Sequence, residues 1–269
     1  MNKVIAALDT TLSGQAVLDA AAALARPLGA TVEAIHVREN GQETPSRNAH
    51  AAHVPFRVLD GDVVASIVAA SEAPDAVAVA LGSRSTSSGP TRVGYVTRNV
   101  VSSAGKPVLV VPPEMQRPAR LHKLLVPLDG DMGTSKAITR TMELLGDNRY
   151  DVVVLHVLEA SSLPSYDDQP QHETPAWRDE FVRRYCAWSA GARATVELRV
   201  GIPASQIIEV ARAEAADLVL VGWSHDLSGG RAAVVRALLG RARTPLLLVP
   251  VTAEDRALKY VARHADRKG

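Results

Sequence analysis

VIAALDTT at residues 4–11 returns as LLVPLDGD at residues 124–131, an offset of 120, and this correspondence decides the fold. The same offset carries VEAIHVRE at residues 32–39 onto VVVLHVLE at residues 152–159, including His36 onto His156. Further along, FRVLDGDVVASIV at residues 56–68 matches ELRVGIPASQIIEV at residues 197–210, and VAVALGSR matches LVLVGWSH, at an offset of about 140. GKPVLVVPP at residues 105–113 matches RTPLLLVPV at residues 243–251 at an offset of 138. The chain is two copies of one unit, and about 20 residues were gained or lost between the second and third blocks.

Within a copy, short apolar runs alternate with helix-like stretches. In the first copy the runs fall at residues 4–8, 32–37, 54–59, 77–81 and 108–111. A first helix is expected from Ser13, as N-cap, to Gly29, with Val17, Leu18, Ala21, Leu24, Ala25 and Leu28 on one face. Its counterpart shows Ile138, Met142 and Leu145 before Gly146. Strands apolar on both faces and separated by helices imply a parallel sheet covered on both sides, with right-handed crossovers. Pro127 resists this reading, because a proline inside a central strand removes a ladder donor.

The copies differ where their lengths differ. WRDEFVRRYCAWSA at residues 177–190 spaces Trp177, Phe181, Tyr185 and Trp188 as one face of an amphipathic helix, read as core. In the first copy only RENGQETPSRNAHAA separates the second and third strands, a loop or very short helix that leaves one face thinly covered. A homodimer through that face is expected. Basic and acidic residues number 30 and 29, so global charge selects neither nucleic acid nor an anionic membrane as partner. A single cysteine, Cys186, excludes an internal disulfide and a cysteine-built metal site, and within an aromatic helix it reads as buried and inert. The longest apolar runs are too short to span a bilayer, and the expectation is a soluble, cytoplasmic protein.

In an open parallel sheet a ligand sits beyond the carboxyl ends of the strands. The first strand ends in Asp9-Thr10-Thr11, and the fourth in Gly82 followed by SRSTSSGPTRVGY. Gly94 then opens a helix, whose free N–H groups and positive dipole end favour a phosphate, with Ser, Thr and Arg side chains completing the cradle. Asp9 is placed to accept from a ribose hydroxyl or an adenine amine. The alternative is that Asp9 caps the first helix and the loop is merely solvated. His36 and His156, at equivalent strand ends, read as satisfied and partly buried. No Walker or dinucleotide-binding glycine motif is present. Ser224-His225-Asp226 lacks the glycine of a nucleophile elbow, and His50 with His53 lacks further metal ligands.

Asp after the first strand, His-Val closing the second, and a glycine loop leading into a helix and then KPVLVVP together resemble the universal stress protein family in its tandem form, over nearly all of the chain to Val251. The resemblance implies an α/β fold of two tandem five-stranded parallel-sheet sandwiches, strand order 3-2-1-4-5, with the fifth strands of the two units paired. It divides the chain into residues 1–115, residues 120–251 and a C-terminal extension, 252–269, read as loosely packed. It implies ATP or another adenine nucleotide, with Mg²⁺ accompanying it, held in the first unit by Asp9, Val37, Gly82, Arg84, Ser85, Gly94, Tyr95 and Val96. Ser85 replaces the family's second glycine, the spacing to Gly94 is one residue short, and Tyr95 replaces Ser or Thr. In the second copy His225 stands for that glycine and Ala232-Ala233 for the last Gly-Ser pair, so no nucleotide is expected there. No catalytic base or nucleophile stands out, and ATP hydrolysis is expected to be slow and incidental at most. The rival expectation is a nucleotide-free scaffold of the same fold acting on a protein partner, with Trp223 and residues 229–231 as exposed contacts.

Overall fold

The computed structural model of the chain describes residues 1–9, 14–38, 53–83, 93–113, 115, 120–146, 150–159, 175–186, 188, 193–225 and 230–255. Each apolar run of the first repeat becomes a strand: β1 (Lys3–Ala7), β2 (Thr31–Arg38), β3 (Phe56–Asp60), β4 (Ala76–Gly82) and β5 (Val108–Val111). Helices α1 (Gly14–Ala25), α2 (Val63–Ser71) and α3 (Tyr95–Ser103) alternate with them. The second repeat gives β6 (Lys123–Pro127), α4 (Met132–Leu145), β7 (Asp151–Leu158), α5 (Pro175–Tyr185), β8 (Arg193–Val200), α6 (Pro203–Ala213), β9 (Leu218–Trp223), α7 (Gly230–Arg241) and β10 (Leu246–Pro250). The expected loop between β2 and β3 lies, at residues 39–52, outside the described residues.

The chain forms two compact units, Met1–Leu121 with His225–Leu248, and His122–Ser224 with Val249–Gly269. In unit 1 the strands run in the order β3-β2-β1-β4-β5-β10, the first five parallel. β10 is antiparallel to β5, with Leu246↔Val110 and Leu248↔Val108, so the fifth strands of the two repeats pair as expected. In unit 2 the order β9-β6-β7-β8 repeats the 3-2-1-4 arrangement, all parallel. α7 and the first residues of β10 belong to the second repeat by sequence and to unit 1 by packing.

Small apolar residues build both cores. Val4, Ala6, Ile35, Val79 and Ala80 are fully buried in unit 1, and every residue of β5 is buried, as a strand covered on both faces requires. α1 presents Val17, Leu18, Ala21, Leu24 and Ala25 to that sheet and ends at Ala25, short of the expected Gly29, whose φ of 57° suits the left-handed turn that follows the helix. α2 starts at Asp62, whose carboxylate accepts from Ala65 N at 2.8 Å, and α4 starts at Asp131, which accepts from Thr134 N at 3.2 Å. α4 buries Ile138, Met142 and Leu145 and stops at Gly146, φ 73°.

Pro127 closes β6 at no cost to the ladder with β7. Leu128 N–H donates to Leu155 O at 2.9 Å, so the alternation turns the nitrogen of residue 127 toward β9, where register pairing has already ended at Leu125↔Val219. The aromatic helix is shorter than its sequence pattern: α5 ends at Tyr185, and Trp188 falls beyond it. Trp177, Phe181 and Tyr185 keep their ladder, with ring centroids 5.1 and 4.9 Å apart, and Phe181 is buried. The start of the C-terminal extension is anchored instead of loosely packed. Asp255, 4% exposed, takes both guanidinium nitrogens of Arg140 at 2.8 and 2.9 Å and caps the turn at Thr252. Residues 256–269 lie outside the described residues.

Cys186 follows α5 and is buried, and loss of solvation pushes its thiol up to about 12. Folded protein is expected to resist iodoacetamide at about pH 8 and to be alkylated fully in urea. Labelling of the folded chain at the rate of a free thiol, followed by mass, would show that Cys186 is not enclosed.

Candidate functional site

The carboxyl ends of β1 and β2 are tied together by one backbone bond and one side-chain bond. Leu8 N–H donates to Ile35 O at 2.9 Å, and His36 Nδ1 donates to Leu8 O at 2.8 Å. Because the partner is a carbonyl, which can only accept, Nδ1 carries a proton in this bond. Nε2 is buried and has no partner among the described residues. His156 repeats the arrangement with Leu128 O at 2.7 Å, its ring lying 5.2 Å from that of Phe181. Both histidines are therefore struts that fix the residue before an aspartate, Asp9 in unit 1 and Asp129 in unit 2.

Beside Asp9, β4 and α3 form the second wall. β1 and β4 pair with Ala6↔Ala80, and extending that register sets Asp9 level with Ser83. Ser83 N–H is held by Val111 O at 2.8 Å, and Gly94 N–H donates back to Ser83 O at 3.0 Å. Thr97, 3% exposed, donates its hydroxyl to Gly82 O at 2.6 Å. These bonds aim the first turn of α3 at the ends of β1 and β4. Gly94 is the N-cap in extended geometry (φ −60°, ψ 147°) and supplies no side-chain cap, so the N–H groups of Tyr95 and Val96 begin the helix without one. An uncapped helix start carries partial positive charge and directed donors, the requirement for an anion.

The structure thus brings Asp9, Gly82, Gly94, Tyr95 and Val96 to one edge of the sheet, with buried Val37 at the end of the adjoining strand. Arg84 and Ser85 lie outside the described residues. Tyr95 is 75% exposed, so its phenol stands out from the helix start instead of filling it. Sequence reading missed Thr97. Its signal was a hydroxyl three residues after the N-cap glycine, and only the fold shows the hydroxyl turned back to bind Gly82.

Unit 2 closes the equivalent position with its own side chains. A Cβ on Gly222 would lie 2.5 Å from Thr134 Cγ2 and 3.4 Å from Val251 Cγ2. The repeat offsets map Gly222 onto Gly82 and Thr134 onto Gly14, so in unit 1 neither residue has a side chain to occupy that place. His225, which replaces a family glycine and is the first residue of the segment that packs with unit 1, adopts φ 62°, the left-handed geometry a glycine favours, and its Nδ1 meets Ser102 O of the same unit at 3.3 Å. Trp223 corrects an expectation: it is 2% exposed, because its side chain points into the core from the end of β9, and it offers no contact surface. Residues 226–229 lie outside the described residues.

The fold defines a duplicated α/β protein in whose first half a helix start lies beside the carboxyl ends of the strands. Residues 39–112 and 120–250 match the universal stress protein family, well over half of the chain, and the chain belongs to that family. No curated protein matches it. A universal stress protein from Archaeoglobus fulgidus DSM 4304 is 16% identical with a TM-score of 0.67, the likeness covering 94% of this chain and 97% of that one. A functionally unknown protein from Pseudomonas aeruginosa PAO1 is 14% identical with a TM-score of 0.67, covering 98% of each. At those identities the two structures share the fold of the whole tandem chain. No helix among the described residues is long and apolar enough to cross a membrane.

Proposed function

We propose that this universal stress protein binds one adenine nucleotide per chain, ATP or a relative, at the edge formed by Asp9, Gly82 and the start of α3, with Mg²⁺ accompanying the phosphates. The observation that carries the reading is the start of α3, which has no side-chain cap from Gly94 and is held to the end of β4 through Gly94 and Thr97, beside the aspartate that follows β1. Asp9 accepts from the nucleoside, Val37 supplies an apolar contact for the base, and the N–H groups of Tyr95 and Val96 donate to phosphate, helped by Arg84 and Ser85 of the adjoining loop. The protein acts in the cytoplasm by nucleotide-dependent conformation or association. It is not an enzyme in this reading, in which ATP hydrolysis is slow and incidental at most.

The test needs no prior choice of partner. Protein purified without added nucleotide is denatured, and whatever small molecule it releases is identified by chromatography and mass. An adenine nucleotide near one per chain is the expected result. None released, and none taken up from millimolar ATP, would replace this reading by the nucleotide-free scaffold.

A further inference from the structure

The ladder between β1 and β2 stops one rung early. The two strands pair from Lys3↔Thr31 to Ala7↔Ile35, which sets Leu8 level with His36. Ala34 N–H donates to Pro55 O at 2.8 Å on the β3 side, and alternation along β2 turns the main-chain groups of Ile35 and Val37 toward β1. Leu8 N–H accordingly donates to Ile35 O at 2.9 Å. The next bond of a parallel ladder would run from Val37 N–H to Leu8 O. That bond is missing. Leu8 O accepts from His36 Nδ1 at 2.8 Å instead, and Val37 N–H has no hydrogen bond among the described residues.

An unpaired amide at that place is costly. Val37 is 8% exposed, and buried backbone N–H groups are almost always bonded. The extended register sets Val37 level with Asp9, so a donor at the end of β2 stands beside the carboxylate that follows β1. Leu8 O is the one hydrogen-bond partner of the buried His36 ring among the described residues. Without the imidazole, Leu8 O and Val37 N–H would be two unpaired groups facing each other one rung beyond the ladder, and each would satisfy the other. The second repeat makes the same exchange, with Leu128 O accepting from His156 Nδ1 at 2.7 Å where pairing ends at Pro127↔Leu155. His156 is therefore an internal control for the stability that the bond itself supplies.

We propose that His36 is a positioning residue of the ligand edge: by holding the Leu8 carbonyl it keeps the Val37 amide open, as a donor to an acceptor nitrogen of the bound base. The base is that of the adenine nucleotide proposed above, and the choice of ligand rests on that reading; the release of the amide does not. Val37 then meets the base twice, through its apolar side chain and through its main chain. A site that donates to a ring nitrogen leaves its amide unpaired when C–H replaces that nitrogen, so the amide selects among bases of the same shape.

Calorimetric titration of the full chain with ATP and its 1-, 3- and 7-deaza analogues, each with C–H in place of one acceptor nitrogen, tests this. Native protein is expected to bind one of the three about tenfold more weakly than ATP. In His36→Leu the ladder closes onto Leu8 O, so ATP weakens about tenfold and that analogue binds no worse than ATP. His36→Asn places an amide donor where Nδ1 stood and is expected to restore the native pattern. His156→Leu loses the same bond in unit 2 and is expected to lose similar stability, by thermal midpoint, with ATP affinity unchanged. Hydrogen exchange of the ligand-free protein reads the ladder itself: the Val37 amide is expected to exchange faster than that of Ile35 in the native chain and to be slowed in His36→Leu. Three analogues that all bind as ATP does would overturn the proposal. So would discrimination that survives His36→Leu, or a native Val37 amide as protected as that of Ile35. Failure to take up any adenine nucleotide would sink the nucleotide reading, and the exchange of Val37 would still decide what His36 does.

Discussion

Replacing Gly222 with alanine is expected to destabilise the protein by about 2 kcal/mol. The new Cβ would lie 2.5 Å from Thr134 Cγ2, well inside contact distance, with Val251 Cγ2 at 3.4 Å on another side. Thr134 cannot easily move away. It is 5% exposed, its hydroxyl meets Asp131 Oδ2 at 3.3 Å, and a β-branched side chain in a helix has few alternative rotamers. Thr134→Ser removes the obstructing methyl and keeps the hydroxyl, at a cost of about 0.8 kcal/mol for the lost group. The double variant should then be little less stable than Thr134→Ser alone, because the clash that made Gly222→Ala costly is gone. Urea denaturation of the four proteins measures the coupling. Equal losses from Gly222→Ala in both backgrounds would mean that something other than Thr134 requires the glycine.

Periodicity and repetition made the architecture legible. The offset of 120 placed β1 on β6 and His36 on His156, and both histidines make the same bond to the carbonyl before an aspartate. Gly94 as the start of α3 and Asp9 at the end of β1 were readable because each is a local choice of residue at an element boundary. What stayed hidden depends on packing between distant residues. Thr97 is an ordinary hydroxyl in a polar stretch until α3 docks and turns it to Gly82. Trp223 follows a glycine at a strand end and reads as exposed, yet strand phase points it into the core. Asp255, in a charged tail, is buried by its pair with Arg140, 115 residues earlier, a distance no local pattern spans.

Asp9→Ala combined with Gly82→Val is expected to weaken adenine-nucleotide affinity by more than about 100-fold. Each hydrogen bond to a charged group contributes roughly 1.5–3 kcal/mol, so loss of the Asp9 carboxylate alone accounts for about tenfold or more. Valine at Gly82 adds a branched side chain where the ligand must approach the backbone between the ends of β1 and β4. The control lies within the same chain. Asp129→Ala removes the equivalent carboxylate from unit 2, where Thr134 and Val251 crowd the position of Gly222, and it is expected to leave both affinity and stoichiometry unchanged. Calorimetric titration of the native protein and both variants reads affinity and the number of sites together. Circular dichroism and thermal midpoints unchanged from the native protein separate a damaged site from a damaged fold. If Asp129→Ala lowered the site count and the unit 1 variant did not, the working site would lie in the second repeat. The Thr134 methyl would then be a wall of that site and not its plug.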